Sequence, residues 1–364
     1  MPPQDDVTPC GSPTAYGEMT RGQARVALIT LLALSAISIG AALTSSGGAQ
    51  SDGSVSGHDR GDIALHRSII ERIREGQGYY EATAEQLAAR NYPTGSVFNW
   101  RPPLPIWLLA QLPHPLWGRA ILSVVVLAIV VLGFEAMSRD APRNRQRPLA
   151  CAVLLACSLF PVLVSGVYVW PTFWAGAFLA LSVCAYGVNW RWMGVAAGLA
   201  ALFFRELTLP YCALAILLAW RSGRKREIAA WGIGLACWGV WYGLHVLQVL
   251  EHMPPDAKHH PGGWVRFGGL PFILSTVQVN GSLILLPRVV SAVYFVAAVV
   301  GLGGWRSPWG IRTGATAAIY LLLFACVGLE GNSYWGFLIA PLLCFGVARC
   351  PASMSDLWRR AIAA

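Results

Sequence analysis

The 364-residue chain is 55% hydrophobic and only 12% charged, and its formal net charge is +9. A soluble domain carries about 25% charged residues, so the composition excludes one large soluble core. The apolar runs are long and continuous rather than alternating, which favours membrane-spanning helices over a transmembrane barrel. The basic residues cluster in short segments between these runs. Cytoplasmic loops have this pattern, so the positive charge indicates membrane topology and predicts no nucleic-acid partner.

We predict an all-α polytopic membrane protein with about ten transmembrane helices and a long first outer loop that carries surface helices. Residues 1–23 and 350–364 are predicted cytoplasmic tails that flank a membrane domain at 24–349, so both termini lie inside. The predicted spans are 24–43, 115–137, two within 149–189, two within 192–220, 228–250, 281–304, 313–329 and 335–347. Residues 267–280 are predicted to form an interfacial or re-entrant helix.

Two stretches allow more than one interpretation. The apolar run 24–43 follows basic residues and precedes small ones, so it is either a retained first helix, which we favour, or a cleaved signal. The run 192–220 is long for one helix and short for two. A single span would bury Arg205 and Glu206 in mid-membrane and invert everything after it, against the basic C-terminal tail. We therefore predict two short helices that meet near the outer face.

The first outer loop, residues 44–114, contains the candidate catalytic acids. Apolar residues at helical spacing predict a helix from about Asp62, and a second short helix is predicted at about 82–90, both lying on the membrane. Asp62 either caps the free N–H groups of its helix or acts as a general base toward an acceptor hydroxyl. Asp59 either shares one of these roles or is a solvated loop acid.

Four further charged residues are candidates for binding an anionic substrate. Arg101 precedes two prolines that predict an extended backbone, and it either binds a lipid phosphate or snorkels to headgroups. Arg205, oriented by Glu206, either binds a phosphate or forms a local salt bridge at a helix turn. Arg288, a few residues into the eighth predicted span, either snorkels outward or points toward an anion. The acidic residues are too sparse to predict a metal site.

The order of these residues resembles the polyprenyl-phosphate-sugar-dependent glycosyltransferases of the GT-C fold. That superfamily includes protein O-mannosyltransferases and lipid A aminoarabinose transferases. Five features carry the resemblance. They are an acid soon after the first span (Asp62 or Asp59), a Tyr-Tyr segment ending at Tyr80, a basic residue before Pro-Pro-Leu-Pro (Arg101), a basic residue between spans five and six (Arg205), and a Tyr-Trp pair before the last helix (Tyr334-Trp335).

The resemblance implies a direct displacement at the anomeric carbon of a lipid-linked sugar. Asp62, or Asp59, would be the catalytic base, and Arg101 and Arg205 would bind the leaving phosphate. Glu206, Arg288, Tyr80 and Tyr334 complete the substrate-binding set that it implies.

The expected protein is a membrane glycosyltransferase at the outer face of the cytoplasmic membrane. Its partners would be a polyprenyl-phosphate-linked sugar donor, membrane lipids and a lipid, glycan or protein acceptor, with no cofactor. One alternative is a transporter or lipid flippase, which the near-absence of mid-span charge in spans two, four, seven and nine disfavours. The other is a non-catalytic envelope-assembly protein.

Overall fold

The computed structural model describes residues 14–45, 61–142, 144–163, 166–259, 266–328 and 331–362. Every regular element in these ranges is an α-helix or a short 3₁₀ segment. The first four helices are α1 (Arg21–Ser45), α2 (Asp62–Arg74), α3 (Tyr79–Ala89) and α4 (Pro103–Gln111). Helices α2 and α3 lie where the sequence predicts two helices in the first loop, and their placement as surface helices stays a prediction.

The next five helices confirm the predicted division of the central region. They are α5 (Pro115–Asp140), α6 (Gln146–Leu159), α7 (Pro171–Gly187), α8 (Arg191–Phe204) and α9 (Leu209–Arg221). A 3₁₀ turn at Glu206–Thr208 separates α8 from α9. The chain therefore breaks its helix where the sequence places two charges inside an apolar run.

The last five helices differ from the predicted boundaries at two places. They are α10 (Lys225–His252), α11 (Gly269–Gln278), α12 (Arg288–Gly303), α13 (Pro308–Cys326) and α14 (Ala340–Ile362). Arg288 is the first residue of α12 rather than a residue inside the span. The predicted last span, 335–347, has the wrong bounds: α14 begins at Ala340 and continues to Ile362, burying Leu357 and Ala361 against Ala24 of α1.

Among the residues that the structure describes, four helices are long and apolar enough to cross a membrane, by length and composition. They are Arg21–Thr44, Pro115–Asp140, Lys225–His252 and Pro308–Cys326. Large apolar side chains on them are widely exposed, for example Val124 (66%) and Val240 (70%), as expected of lipid-facing surfaces. Five other apolar helices have 10–17 residues, below the roughly 20 that a straight span needs. The protein is therefore a membrane protein by its helices, and its ten crossings stay a prediction.

Helices α12 and α14 cross in direct backbone contact at two glycines. A methyl group on Gly301 would overlap the carbonyl oxygen of Gly346, and one on Gly346 would overlap the carbonyl oxygen of Ala298. Small residues allow such close approach between helices in lipid, where van der Waals packing replaces the hydrophobic effect. This crossing fixes the position of the last helix and of the segment that precedes it.

We expect Gly301→Ala to destabilise the protein by at least about 2 kcal/mol, because the added methyl group meets a backbone atom that cannot rotate away. Gly239→Ala is the matched control, since a methyl group there has nothing within 4 Å. Thermal unfolding of both variants in detergent tests this expectation. Equal melting temperatures for the two variants would show that the crossing is not tightly packed.

Candidate functional site

Five residues from four separate segments lie together, and we call them the acid–arginine cluster: Asp62, Arg101, Arg205, Glu206 and Tyr334. Arg101 Nη2 donates a 2.6 Å hydrogen bond to the hydroxyl of Tyr334. Arg205 Nη1 lies 3.6 Å from Glu206 Oε1. The ionisable groups close enough to interact electrostatically with the Arg205 guanidinium are the other four members of the cluster. The structure therefore brings together five of the eight residues that the sequence nominated.

Asp62 is the first residue of α2, and its carboxylate is not used as a helix cap. The capping position is held by Gly61, whose φ of +119° suits glycine, and no side chain caps this helix. Asp62 Oδ1 instead accepts a 2.8 Å hydrogen bond from the hydroxyl of Tyr92. Burial and the adjacent Asp62 raise the pKa of Tyr92, so its phenol stays protonated and donates. Asp59 lies outside the described residues.

Hydrogen bonds hold both the side chain and the backbone of Arg101. Its Nη1 donates to the carbonyl oxygen of Phe98 at 2.7 Å, and its own carbonyl oxygen accepts from the hydroxyl of Tyr79 at 2.6 Å. Burial acts to lower the pKa of Arg101, but Tyr334, Asp62 and Glu206 outweigh it and the pKa is raised. Arg101 is therefore a fixed cation. The predicted extended backbone stops at Pro102, because Pro103 is the first residue of α4.

Arg205 and Glu206 occupy the break between α8 and α9. Arg205 is only 1% exposed, and its backbone is fixed by a hydrogen bond from Thr208 Oγ1 to its carbonyl oxygen. Nε and Nη1 of Arg205, and Oε2 of Glu206, are buried without a hydrogen-bond partner among the described residues. Most buried polar atoms in proteins have such partners. The local salt bridge thus leaves donors of Arg205 unsatisfied, and these suit the oxygens of an anion.

Tyr80 supports the segment that carries Arg101. Its hydroxyl lies 3.1 Å from Nδ1 of His245, and Nε2 of His245 lies 3.1 Å from the carbonyl oxygen of Trp100. A carbonyl oxygen only accepts, so Nε2 carries the proton and Tyr80 donates to Nδ1. Sequence analysis missed His245, although a histidine inside an apolar span is itself a signal of a polar role.

His66 is a second residue whose importance the sequence did not show. It lies one helical turn after Asp62 and is 4% exposed, with Nδ1 lacking a hydrogen-bond partner among the described residues. Burial lowers the pKa of His66 to about 4; Asp62 opposes this shift, whereas Arg101 and Arg205 add to it. The imidazole is therefore neutral at physiological pH.

Arg288 lies elsewhere in the fold. It begins α12, which packs mainly against α14 and α1. Arg288 is not among the groups that interact electrostatically with Arg101 or Arg205. The proposed role of Arg288 in binding the same anion thus gains no support from its position.

Two cavities adjoin the acid–arginine cluster. The first, of about 400 Å³, is almost entirely apolar; among its lining residues are Glu206, Trp238, Tyr242, Tyr320, Phe324 and Trp335. The second, of about 710 Å³, is more polar; among its lining residues are Gly61, Arg90, Asn91 and Tyr92, next to Asp62. Glu206 therefore lines the apolar cavity, and Asp62 is connected to the more polar one through its neighbour Gly61 and its hydrogen-bond partner Tyr92.

No protein-family model, curated protein or solved structure matches this chain. The geometry of the cluster and of its two cavities therefore carries the functional proposal.

We expect the stability of the protein to fall as the pH decreases from 6.5 toward 4. The pKa of His66 is about 4 in the folded protein and about 6.5 when unfolded, so the unfolded state binds the extra proton in this window. One such group contributes a loss of about 2 kcal/mol between pH 8 and pH 5. Thermal unfolding at the two pH values measures it.

His66→Gln should remove this part of the pH dependence, because glutamine does not titrate. His252→Gln, at a partly exposed position, is the control and should leave the pH dependence as in the wild type. An unchanged dependence in His66→Gln would contradict the assignment to His66.

Proposed function

We propose that the protein is a glycosyltransferase of the cytoplasmic membrane. It would move a sugar from a polyprenyl-phosphate donor to an envelope acceptor at the outer face. One observation carries this proposal: the partly exposed carboxylate of Asp62 lies in one cluster with two guanidinium groups, those of the buried Arg205 and of Arg101, near an apolar cavity and a more polar one. Displacement of a phosphate from a sugar is assisted by a group that accepts the proton of the acceptor and by cations that stabilise the leaving phosphate, and the cluster contains both.

The proposed reaction is a single displacement at the anomeric carbon. The acceptor hydroxyl oxygen forms a bond to this carbon, and Asp62 takes the hydroxyl proton. The bond from the anomeric carbon to the phosphate oxygen breaks, and the lipid phosphate leaves as a monoester that carries one more negative charge than the donor. Arg101 and the unsatisfied donors of Arg205 would stabilise that growing charge.

The apolar cavity supports a lipid donor. Its lining is dominated by apolar and aromatic side chains, and Glu206 places one end of it beside Arg205. An isoprenoid chain in this cavity would bring its phosphate to the guanidinium group. Glu206 would then orient Arg205, and Tyr334 would orient Arg101 through the 2.6 Å hydrogen bond.

The polar cavity supports an acceptor that approaches from the other side. Tyr92 lines it and donates a hydrogen bond to Asp62 Oδ1. That hydrogen bond orients the carboxylate and leaves Oδ2 for the acceptor. Donor and acceptor would thus reach the anomeric carbon from opposite sides, as a displacement requires.

Asp62→Asn should abolish transfer, with a loss of 10²- to 10⁴-fold as expected for removal of a general base. The variant and the wild type would be expressed in a strain that lacks the gene, and envelope glycolipids and glycoproteins compared by mass spectrometry. Glu71→Gln is the matched control, because it makes the same change at an exposed position on the same helix.

Restoration of a sugar adduct by the wild type and by Glu71→Gln, but not by Asp62→Asn at equal membrane abundance, would support the enzyme. A wild-type pattern from Asp62→Asn would exclude Asp62 as the base. A deletion strain with no altered glycan would favour the transporter or assembly alternatives.

Arg205→Gln should weaken binding of a polyprenyl monophosphate by at least about tenfold, since hydrogen bonds to charged groups contribute roughly 1.5–3 kcal/mol. Binding to the purified protein in detergent can be followed by tryptophan fluorescence, with the uncharged polyprenol as a comparison ligand. Arg72→Gln, at a half-exposed arginine on α2, is the control variant. Equal affinity for the phosphate and the alcohol would contradict an anion site at Arg205.

A further inference from the structure

A second charged region lies at the other end of the helices that lead to the acid–arginine cluster. It surrounds a cavity of about 380 Å³ lined by Arg191, Trp192, Arg224, Lys225, Arg226 and Glu227, together with Gly223. Helix α8 begins in this cavity and ends at Phe204, next to Arg205. Its 14 residues rise about 21 Å, so the two regions are well separated.

The cavity has an excess of positive charge. Four cations line it, and its single lining acid, Glu227, is already engaged inside the bundle. Glu227 Oε1 accepts a 2.7 Å hydrogen bond from the hydroxyl of Tyr186 and lies 3.9 Å from Nη2 of Arg312. Arg312 in turn lies over the ring of Tyr186, 3.6 Å from its centroid. Glu227 Oε2 also lies 3.5 Å from Nη1 of Arg224. The acid therefore offsets Arg312 and Arg224, and among the described residues no ion pair balances the exposed Arg191, Lys225 and Arg226.

Backbone groups add to this positive potential. Arg191 and Trp192 belong to the first turn of α8, and Lys225 and Arg226 to the first turn of α10. First-turn N–H groups have no acceptor within their own helix, and helix N-termini carry partial positive charge. Neither helix has a side-chain cap at this end. Two helix N-termini and four cationic side chains thus border one cavity.

Exposed tryptophans place the cavity at the level of lipid headgroups. Trp190, directly before α8, and Trp192 on α8 are 56% and 61% exposed, and Trp220 in the last turn of α9 is 68% exposed. Tryptophan is enriched at the boundary between membrane and water. Basic pockets between membrane helices at this level bind phosphate headgroups.

We propose that this cavity binds the phosphate headgroup of an anionic phospholipid, at the membrane face opposite the acid–arginine cluster. Lys225, Arg226 and Arg191 would contact the phosphate, and Trp192 would lie against the glycerol region. The lipid would bridge the N-termini of α8 and α10, the two helices that lead to Arg205 and His245. This site does not depend on the glycosyltransferase proposal.

The test is a titration of the purified full-length protein in detergent, followed by native mass spectrometry. Phosphatidylglycerol is compared with zwitterionic phosphatidylcholine. We expect one phosphatidylglycerol per chain to bind more tightly than phosphatidylcholine. The double variant Lys225→Gln, Arg226→Gln should weaken its binding about 30-fold, from roughly fivefold for each cation at the membrane surface. The double variant Arg145→Gln, Arg359→Gln removes the same charge from exposed positions outside the cavity and should bind as the wild type does.

Three results would overturn the proposal. Equal binding of the two lipids would exclude a site for an anionic headgroup. An equal loss in the two double variants would indicate attraction by net charge and not by the cavity. Displacement of phosphatidylglycerol by millimolar inorganic phosphate would assign the cations to a soluble phosphate and exclude the lipid. Retained folding of each variant is checked by its melting temperature.

Discussion

The burial of the Arg205 guanidinium near a second cation, the partly exposed Arg101, is the constraint on which the site depends. An unpaired buried charge costs several kcal/mol, so Arg205 needs acidic or polar partners close by. The fold supplies these by breaking a helix at Glu206 and by starting another at Asp62. Donors of Arg205 nevertheless stay unsatisfied within the described residues. A cluster that is almost, but not fully, neutralised is suited to bind one more anion.

Part of this arrangement could be predicted from the sequence, because its signals are local. The charged pair Arg205–Glu206 inside an apolar run predicts the break between α8 and α9, and helical spacing predicts α2. By contrast, Tyr92 and His245 act through partners 30 and 165 residues away. A histidine inside an apolar span signals a polar role, but no local pattern identifies the partner of either residue. The continuation of α14 likewise depends on its tertiary contact with α1.

The positive-inside rule gives an incomplete account of two arginines, because it considers only their charge and their position along the sequence. In the sequence, Arg312 and Arg349 stand at the edges of apolar runs, where the rule takes basic residues as markers of the cytoplasmic side. In the structure Arg312 is buried beside Glu227, and Arg349 pairs with Asp140 and lies 4.6 Å from the ring centroid of Trp305. Both arginines also join helices that are distant in sequence. A count of basic residues cannot separate these two roles, since the acidic partners are visible only after folding.

The environments of the three proton-accepting groups favour Asp62 as the base in the proposed mechanism. His66 is a poor proton acceptor, because burial lowers its pKa to about 4 and Arg101 and Arg205 disfavour a third cation. Glu206 lines the apolar cavity, where an acceptor hydroxyl would lose its hydration. Asp62 adjoins the polar cavity, and Tyr92 fixes one of its oxygens. The proton of an incoming hydroxyl would therefore pass to Asp62.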